Sequence, residues 1–237
     1  MSATRLVRRV EAEVLDSLPE DDPRAIRSRG DLRRVNRIMG NLAILDSLLG
    51  SSLRRAPLQI AELGAGDGTL LLRLAKRRAR DWPGVTLTLV DRQDLVGART
   101  RAAFAGFGWT VRGAAIDVFA WLEREADRRF DAVLANLFLH HFDGDGLTRM
   151  FRGIARITDC FVACEPRRAG FPLLGSHLLG VIGANAVTRN DAVLSVRAGF
   201  SDGELSGYWP NDGGWQLSEN GARLFSHAFA AVRRTNR

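Results

Sequence analysis

Lysine is almost missing from this 237-residue chain, since Lys76 is the only lysine among 34 basic residues and the other 33 are arginine. Mechanisms that need a lysine amine, such as Schiff-base chemistry, would have to use Lys76, which no phosphate-binding glycine loop precedes. Basic residues outnumber acidic ones and give a formal charge of +7. Because the arginines are dispersed, with no basic run beyond Lys76-Arg77-Arg78, the charge indicates solvated surface rather than a nucleic-acid-binding stripe.

Cysteine is also scarce. Cys160 and Cys164 lie four residues apart in an apolar run and are too few for a zinc site without two further ligands. They predict buried, reduced thiols and a reducing, cytoplasmic location. The amino terminus is charged and shows no apolar signal-peptide core. The longest uncharged stretch, residues 169–188, is too polar and too rich in glycine for a membrane span and predicts a buried cap.

The hydrophobic pattern divides the chain into an N-terminal helical cap segment, residues 1–56, and an α/β domain, residues 57–237, with a cap insertion at about 166–200. In the first part, apolar residues from Leu6 to Leu18 follow helical spacing up to Pro19. A second apolar face, with Ser28 as the predicted N-cap, continues to Leu49.

After Pro57, short apolar runs alternate with helical patterns. The predicted strands are Leu58–Leu63, Val85–Val90, Trp109–Arg112, Phe130–Ala135 and Cys160–Cys164. The predicted helices are Thr69–Arg80, Leu95–Phe107, Phe119–Arg128 and Gly146–Ile157. This alternation predicts a parallel sheet covered on both faces. The chain is then predicted to end in two consecutive antiparallel strands, Trp215–Ser218 and Leu224–Val232.

The segment Leu58–Thr69, L-Q-I-A-E-L-G-A-G-D-G-T, predicts a strand that enters a glycine turn and then a helix. The glycines allow the backbone to approach a ligand closely. Thr69 stands where a dinucleotide fingerprint has glycine or alanine, and Glu62 and Asp67 accompany the loop instead. The next strand ends in Asp91, whose carboxylate can accept both hydroxyls of a ribose.

The pattern acid-x-Gly-x-Gly-x-Gly resembles motif I of the class I S-adenosylmethionine-dependent methyltransferases, over roughly residues 57–165. The resemblance implies a Rossmann-like seven-stranded sheet, mostly parallel with one antiparallel strand, helices on both faces, a helical cap, and S-adenosylmethionine as cofactor. The cofactor-binding residues that it implies are Glu62, Gly64, Ala65, Gly66, Asp67, Asp91, Arg92, Asp117, Val118, Asn136 and Leu137. For Asp117, a simple helix N-cap is an equal alternative.

His140 and His141 end the segment F-D-A-V-L-A-N-L-F-L-H-H-F and are candidate general bases. A neutral histidine could take a phenolic proton as the oxygen attacks the sulfonium methyl group, and the alternative is a cleft-wall role. The segment lacks Asn-Pro-Pro-Tyr, which argues against amino groups of bases or glutamine as acceptors.

Two other segments, Leu32–Gly40 and Thr188–Phe200, resemble a bacterial subgroup of small-molecule methyltransferases associated with polyketide-derived phenolics and phenolic lipids. This resemblance implies Asp191 as a further catalytic residue, and a capped turn with a solvated Arg197 is an equal alternative. It implies an acceptor pocket lined by Asn36, Arg37, Met39, His141 and Arg197. Asn190 stands where the subgroup has a histidine, so the base must come from elsewhere or proximity alone must suffice.

Together these features predict O-methylation of a small, apolar phenolic or enolic acceptor, polyketide- or quinone-like, without a metal ion. C-methylation of a similar molecule stays an alternative, because it uses the same cofactor site. Dispersed arginines disfavour an RNA methyltransferase, and the intact glycine loop disfavours a non-catalytic partner protein. The expected partner is a small molecule, with no nucleic acid and no stable membrane insertion, and both a monomer and a homodimer stay open.

Overall fold

The computed structural model describes residues 6–177 and 183–234, so part of the predicted cap insertion, residues 178–182, lies outside the described residues. Seven strands form one sheet in the order β3-β2-β1-β4-β5-β7-β6. They are β1 (Gln59–Leu63), β2 (Thr86–Asp91), β3 (Thr110–Ala115), β4 (Ala132–Asn136), β5 (Cys160–Pro166), β6 (Trp215–Ala222) and β7 (Ser226–Arg233). Strand β7 runs antiparallel to both neighbours and the other pairs are parallel, which confirms the predicted sheet.

Helices cover both faces of this sheet. They are α1 (Val14–Ser17), α2 (Pro23–Met39), α3 (Asn41–Ser52), α4 (Thr69–Arg78), α5 (Ala98–Gly106), α6 (Val118–Arg124), α7 (Gly144–Ile157), α8 (Gly170–His177), α9 (Ala186–Ala198) and α10 (Glu204–Tyr208), with a 3₁₀ turn at Leu139–His141. One apolar core packs α3, α4 and α5 on the sheet, and a second packs α6, α7 and α10 on the opposite face. Burial on both faces explains why the central strands are continuous apolar runs.

The carboxyl ends of the parallel strands meet at one edge. Gly64, Asp91, Asp117, Asn136 and Glu165 lie at or just beyond the ends of β1 to β5. Open α/β sheets bind ligands at this edge. The topology therefore collects there the polar residues that the sequence spreads over a hundred positions.

A cap of α1, α2, α8 and α9 contacts this region, with α9 packed against the other three. The buried Asp31 of α2 accepts hydrogen bonds from the Asn185 N–H (2.8 Å) and the Thr188 hydroxyl (3.2 Å) of the α9 start. The Ser28 and Thr188 hydroxyls bond each other at 2.8 Å. These polar contacts fix α2 against α9.

The prediction of a helix from Leu6 to Leu18 is wrong. Residues 6–18, here called the strap, are irregular except for the four-residue α1. Their apolar side chains find no core, since Val7 is 78% exposed. Backbone and side chains instead bond distant elements: Arg8 Nε donates to the Ala198 carbonyl, Arg9 N–H to the Arg197 carbonyl, and Arg168 Nε to the Leu6 carbonyl.

The predicted N-cap Ser28 is also wrong. Helix α2 begins at Pro23, which suits the first helical position, and Asp22 caps it by accepting from the Arg24 N–H at 2.7 Å. The apolar face that was expected to run to Leu49 is divided at Gly40, whose φ of +73° ends α2 and begins α3.

Both cysteines are buried and free, as predicted. Burial raises the pKa of both thiols, that of Cys160 to about 12. None of the described helices is both long enough and apolar enough to cross a membrane.

The junction between β5 and α9 allows a test of the packing. A Cβ atom at Gly199 would overlap the Pro166 carbonyl oxygen, whereas Gly203 has open space at the same position. We expect Gly199→Ala to lower the free energy of unfolding by about 1–3 kcal/mol or more in urea titrations, because close-packed backbone cannot move aside. Gly203→Ala is the control and should change it little; equal effects would contradict this packing.

Candidate active site

The loop after β1 contains three glycines with positive φ, and two of them, Gly64 and Gly66, border the cavity. Gly64 and Gly66 have φ values of +67° and +54°, a region that residues with a Cβ avoid. A Cβ at Gly64 would overlap the ring of Phe138, while nothing lies within 4 Å of the Cβ position at Gly66. The backbone at Gly66 therefore faces open space that a ligand can fill.

Asp91, at the end of β2, supports this loop. Its Oδ2 accepts from the Gly66 N–H at 2.9 Å and its Oδ1 from the Gln93 N–H at 3.2 Å. A carboxylate oxygen has two acceptor sites. Asp91 can therefore bind a vicinal diol while it keeps both backbone contacts.

Glu62 is a buried acid with an unsatisfied oxygen. It is 2% exposed, and its Oε2 has no hydrogen-bond partner among the described residues. Burial first, and then the charges of Asp67 and Asp91, raise the pKa of Glu62 well above its usual value. A buried carboxyl group in this setting is complementary to a cation such as an ammonium group. The unsatisfied oxygen, the Asp91 carboxylate and the open backbone at Gly66 fit S-adenosylmethionine.

Two predicted cofactor residues are tied to the cap. Asp67 forms an ion pair with Arg33 of α2 at 2.7 Å and accepts from the Thr69 N–H at 3.0 Å. Arg92 forms an ion pair with Asp16 of the strap at 3.2 Å. These contacts link the strand ends to the elements that cover them.

Asp117 fulfils the N-cap alternative, and its cofactor contact stays a prediction. Its Oδ1 caps α6 by accepting from the Phe119 and Ala120 N–H groups at 2.9 and 3.3 Å. The residue also borders the main cavity, as does Val118 after it. Because both capping contacts use Oδ1, the N-cap role and a ligand contact are compatible.

At the end of β4, Asn136 connects the sheet to the cap. Its Nδ2 donates to Asn36 Oδ1 at 3.0 Å, and the same oxygen accepts from Asn41 Nδ2 at 2.8 Å. The buried Asn136 Oδ1 has no partner among the described residues. Leu137 follows with a φ of +51°, a conformation that leucine rarely adopts outside functional sites.

One cavity of about 1290 Å³ joins these residues to the cap. Pockets for a single small ligand are usually about 300–1,000 Å³, so this cavity has room for two ligands side by side. All the predicted cofactor residues border it, from Glu62 to Leu137. The predicted catalytic and acceptor residues that border it are Asn36, Arg37, Met39, His140, His141 and Asp191.

His140 is held between two carboxylates. Its Nδ1 lies 2.8 Å from Glu165 Oε2, and its Nε2 lies 3.3 Å from Glu13 Oε1. Burial opposes the charged form, but the bonds to Glu13 and Glu165 outweigh it and raise the pKa of His140 to about 9. Both ring nitrogens are therefore protonated donors at neutral pH. His140 has no lone pair for a substrate proton, which argues for a positioning role and against its predicted role as base.

His141 has the opposite character. Burial, and then the positive charge of His140, lower its pKa. The two ring centroids are 4.3 Å apart, and His141 Nδ1 lies 3.6 Å from Asp16 Oδ2. His141 is thus a neutral imidazole on the cavity wall at neutral pH.

The other two predicted residues of this group have different surroundings. Asp191 accepts from the Val14 and Leu15 N–H groups at 3.0 and 2.9 Å, so both of its carboxylate oxygens hold the strap. These contacts give Asp191 a structural role in holding the strap, and its catalytic role stays a prediction. Arg197 is exposed and is not brought to the cavity, which leaves its predicted acceptor contact without support.

Glu13, His140 and His141 offer ligand atoms within 4.8 Å of one another, a spacing that a metal ion could bridge. In this structure each ring nitrogen of His140 already faces a carboxylate. We therefore describe the cluster as a hydrogen-bonded one, and the absence of a metal requirement stays a prediction.

Sequence reasoning missed Glu13, Asp16 and Glu165. Glu13 and His140 are 127 positions apart, and no local pattern links them. Glu165 could have been found, because a charged residue at the end of a buried strand needs a partner. Its Oε1 accepts from the Phe138 and Leu139 N–H groups, each at 2.9 Å.

Comparisons with known proteins agree with this geometry. Residues 60–159 match a protein-family model described as a methyltransferase domain. A search of curated proteins gives no match to this chain.

Solved structures give further matches. Magnesium protoporphyrin IX methyltransferase (ChlM) from Synechocystis PCC 6803, with bound S-adenosylhomocysteine (SAH), has 16% identity and a TM-score of 0.54, over 85% of this chain and 84% of that one. The plantazolicin methyltransferase BpumL, in complex with a pentazolic desmethylPZN analog and SAH, has 10% identity and a TM-score of 0.61. This match covers 90% of this chain and 92% of that one.

An O-methyltransferase family protein from Burkholderia thailandensis has 17% identity and a TM-score of 0.62. The match covers 92% of this chain and 62% of that one, so the present chain spans less than two thirds of its length. At these identities the likeness shows the fold.

The contacts of Asp91 lead to a binding test. We expect Asp91→Ala to weaken SAH binding roughly 10- to 100-fold in calorimetry, because hydrogen bonds to a charged group are each worth about 1.5–3 kcal/mol. Asp94→Ala is the matched control, since this exposed carboxylate pairs with Arg101 outside the cavity. Binding of NADH in place of SAH would contradict the assignment.

The His140 cluster leads to a stability test. Because the folded-state pKa of His140 lies above its usual 6.5, its stabilisation is complete below pH 6.5 and is lost as the pH rises through about 9. We expect His140→Gln to lower the free energy of unfolding by about 3–5 kcal/mol at pH 6, because it leaves buried carboxylates unpaired. The difference from the wild type should shrink above pH 9.

The matched control is His141→Gln, which should cost less than about 1 kcal/mol, as expected when no buried ion pair is broken. A difference between wild type and His140→Gln that is the same at pH 6 and pH 10 would overturn the charge assignment.

Proposed function

We propose that this chain is a class I S-adenosylmethionine-dependent methyltransferase and that it methylates an oxygen atom of a small, apolar phenolic or enolic acceptor, with His141 as general base. The observation that carries the proposal is the position of His141 on the wall of a cavity with room for two ligands, where burial and the charge of His140 lower its pKa. The acceptor would occupy the part of this cavity next to His141 and the cap.

S-adenosylmethionine supplies an electrophilic methyl group on a sulfonium centre. Glu62, Asp91 and the glycine loop are the groups that would hold it at the strand ends. Glu62 has a buried oxygen available for the amino group, and Asp91 has free acceptor sites for the ribose hydroxyls.

The cap side of the cavity presents an apolar wall beside charged residues. Its lining residues there include Leu15, Val35, Met39, Phe142, Pro172 and Val196. Such a wall supports a ring-bearing acceptor and excludes water from the reacting groups. Asn36 and Ser195 add polar atoms that could orient it, and residues such as Glu13, Arg33 and Arg37 add charges on the same side.

In the proposed proton transfer, His141 accepts the hydroxyl proton of the acceptor. Asp16, near Nδ1, favours the tautomer with its proton on that nitrogen and leaves the Nε2 lone pair available. When the proton moves to Nε2, the acceptor oxygen becomes the stronger nucleophile. His140 keeps its own proton, and burial together with the charge of His140 disfavours protonation of His141 beforehand.

Alignment of the two reactants would contribute more to the rate than base assistance does. Well-oriented reactants can gain roughly 7–11 kcal/mol, while base assistance typically contributes about 10²- to 10⁴-fold. The hydrogen bonds and ion pairs that connect the strap and α2 to the strand ends are suited to holding the reactants in line. A carbon acceptor would use the same cavity and base, so product analysis has to distinguish it from oxygen.

The proposed base leads to a kinetic test with a panel of alkyl-substituted phenols. We expect kcat/KM to rise with pH through a pKa below 6.5 and to reach a plateau near neutral pH, because the active form of His141 is neutral. His141→Ala should lower kcat about 10²- to 10⁴-fold, remove this pH dependence and leave SAH binding unchanged.

Asp191→Asn serves as the comparison variant. Since Asp191 binds strap backbone, we expect lower stability with the pH profile retained. Similar mild losses in His140→Ala, His141→Ala and Asp191→Asn would contradict a general base and leave proximity alone. Loss of turnover in EDTA would contradict the metal-free prediction, and turnover that falls steeply with salt would favour a polyanionic acceptor.

A further inference from the structure

Helix α8 has apolar residues on two faces. Pro172 and Gly175 line the cavity, together with Ser176. On another face, Phe171 and Leu174 are 56% and 57% exposed. Residues three apart on a helix are neighbours, so these two side chains form one exposed apolar surface.

The turn between β6 and β7 extends this surface. Leu224 in that turn is 61% exposed. Phe225, the next residue, borders the cavity and stacks on Phe171 with ring centroids 5.5 Å apart. We call Phe171, Leu174 and Leu224 the apolar rim. Through Phe225 the rim is continuous with the cavity.

Two arginines lie next to the rim along the chain, since Arg223 precedes Leu224 and the Arg167 N–H donates to the Phe225 carbonyl. The Arg167 side chain packs over Gly221, where a Cβ would lie 3.0 Å from its Cζ. The Arg223 side chain packs over Gly40, where a Cβ would lie 2.8 Å from its Nη1. Both arginines are exposed, and neither forms an ion pair with another described residue.

The sequence around the rim contains no opposing charge. No Asp or Glu occurs at positions 32–45, 166–190 or 220–237, which include the end of α2, all of α8 and the β6–β7 turn. Elsewhere the chain has 27 acidic residues, so this exclusion is local. The charged residues of these three segments are therefore all basic.

We infer that the apolar rim with Arg167 and Arg223 docks the protein on an anionic lipid surface. Exposed aromatic and leucine side chains beside arginines are what interfacial binding requires, and a lipid surface needs no shape complementarity from a patch of three side chains. A second copy of the chain is a poorer occupant. An isologous contact through the rim would bring the arginines of both copies together.

Docking in this orientation would place the cavity next to the lipid. An apolar acceptor could then pass from the membrane past Phe225 into the cavity, and this second step rests on the proposed function. The docking itself does not depend on the identity of the acceptor.

The test is flotation of the full chain with vesicles of phosphatidylcholine alone or with phosphatidylglycerol added. We expect binding to the anionic vesicles, weaker binding at high salt, and little binding to phosphatidylcholine. The double variant Phe171→Ser/Leu174→Ser should reduce vesicle binding roughly tenfold or more, and Arg167→Glu/Arg223→Glu should reduce it similarly.

The matched control is Ile26→Ser/Leu58→Ser, which removes two side chains that are 54% and 60% exposed outside the rim. It should bind vesicles as the wild type does. Both rim variants should keep the melting temperature, SAH binding and turnover of a water-soluble phenol. Failure of the proposed function would appear in the phenol assay, and failure of docking would appear in flotation alone.

Three results would overturn the inference. The first is that the wild type does not float with anionic vesicles. The second is that the control variant loses as much vesicle binding as the rim variants. The third is that the protein binds no vesicles but forms a concentration-dependent dimer that the rim substitutions dissociate.

Discussion

The ion-pair cluster at His140 connects parts of the molecule that the sheet alone does not join. Glu165 comes from β5, His140 from the turn after β4, and Glu13 from the strap. A fully buried carboxylate such as Glu165 is unfavourable without a positive partner, and the second N–H of a buried imidazolium in turn needs an acceptor. The charges of Glu165 and His140 at the strand ends thus hold the strap in place through Glu13.

The two halves of the cavity use charge in opposite ways. Around His140 the protein supplies both signs, so the cluster is complete without a ligand. Around Glu62 the nearby charges that act on it are the carboxylates of Asp67 and Asp91, Arg33 pairs with Asp67, and a buried Glu62 oxygen has no partner among the described residues. The His140 cluster fixes the positions of protein elements, and the surroundings of Glu62 leave a place for a cationic ligand. This contrast separates residues that position from residues that bind.

The sequence predicted those parts of the fold and site that local patterns determine. The strand–glycine–helix unit at Leu58–Thr69 and the acid at the end of β2 are such patterns, and both lie where expected. The strap was misread, because helical spacing of apolar residues predicts a helix only where a core receives them. Glu13 could not be found, since its partner lies 127 positions away. Asp191 has the residue type of a base, but the sequence does not show that its carboxylate accepts hydrogen bonds from the Val14 and Leu15 N–H groups of the strap.

The strap also has a consequence for the order of events in folding. Its contacts close very long loops, as when Arg8, in the strap, donates to the Ala198 carbonyl 190 positions away. Contacts of such sequence separation form slowly, because chain entropy must be lost before they can stabilise anything. The sheet and its flanking helices can assemble from nearer neighbours. Refolding chains would therefore acquire their secondary structure before their cavity, and ligand binding would appear only after a lag.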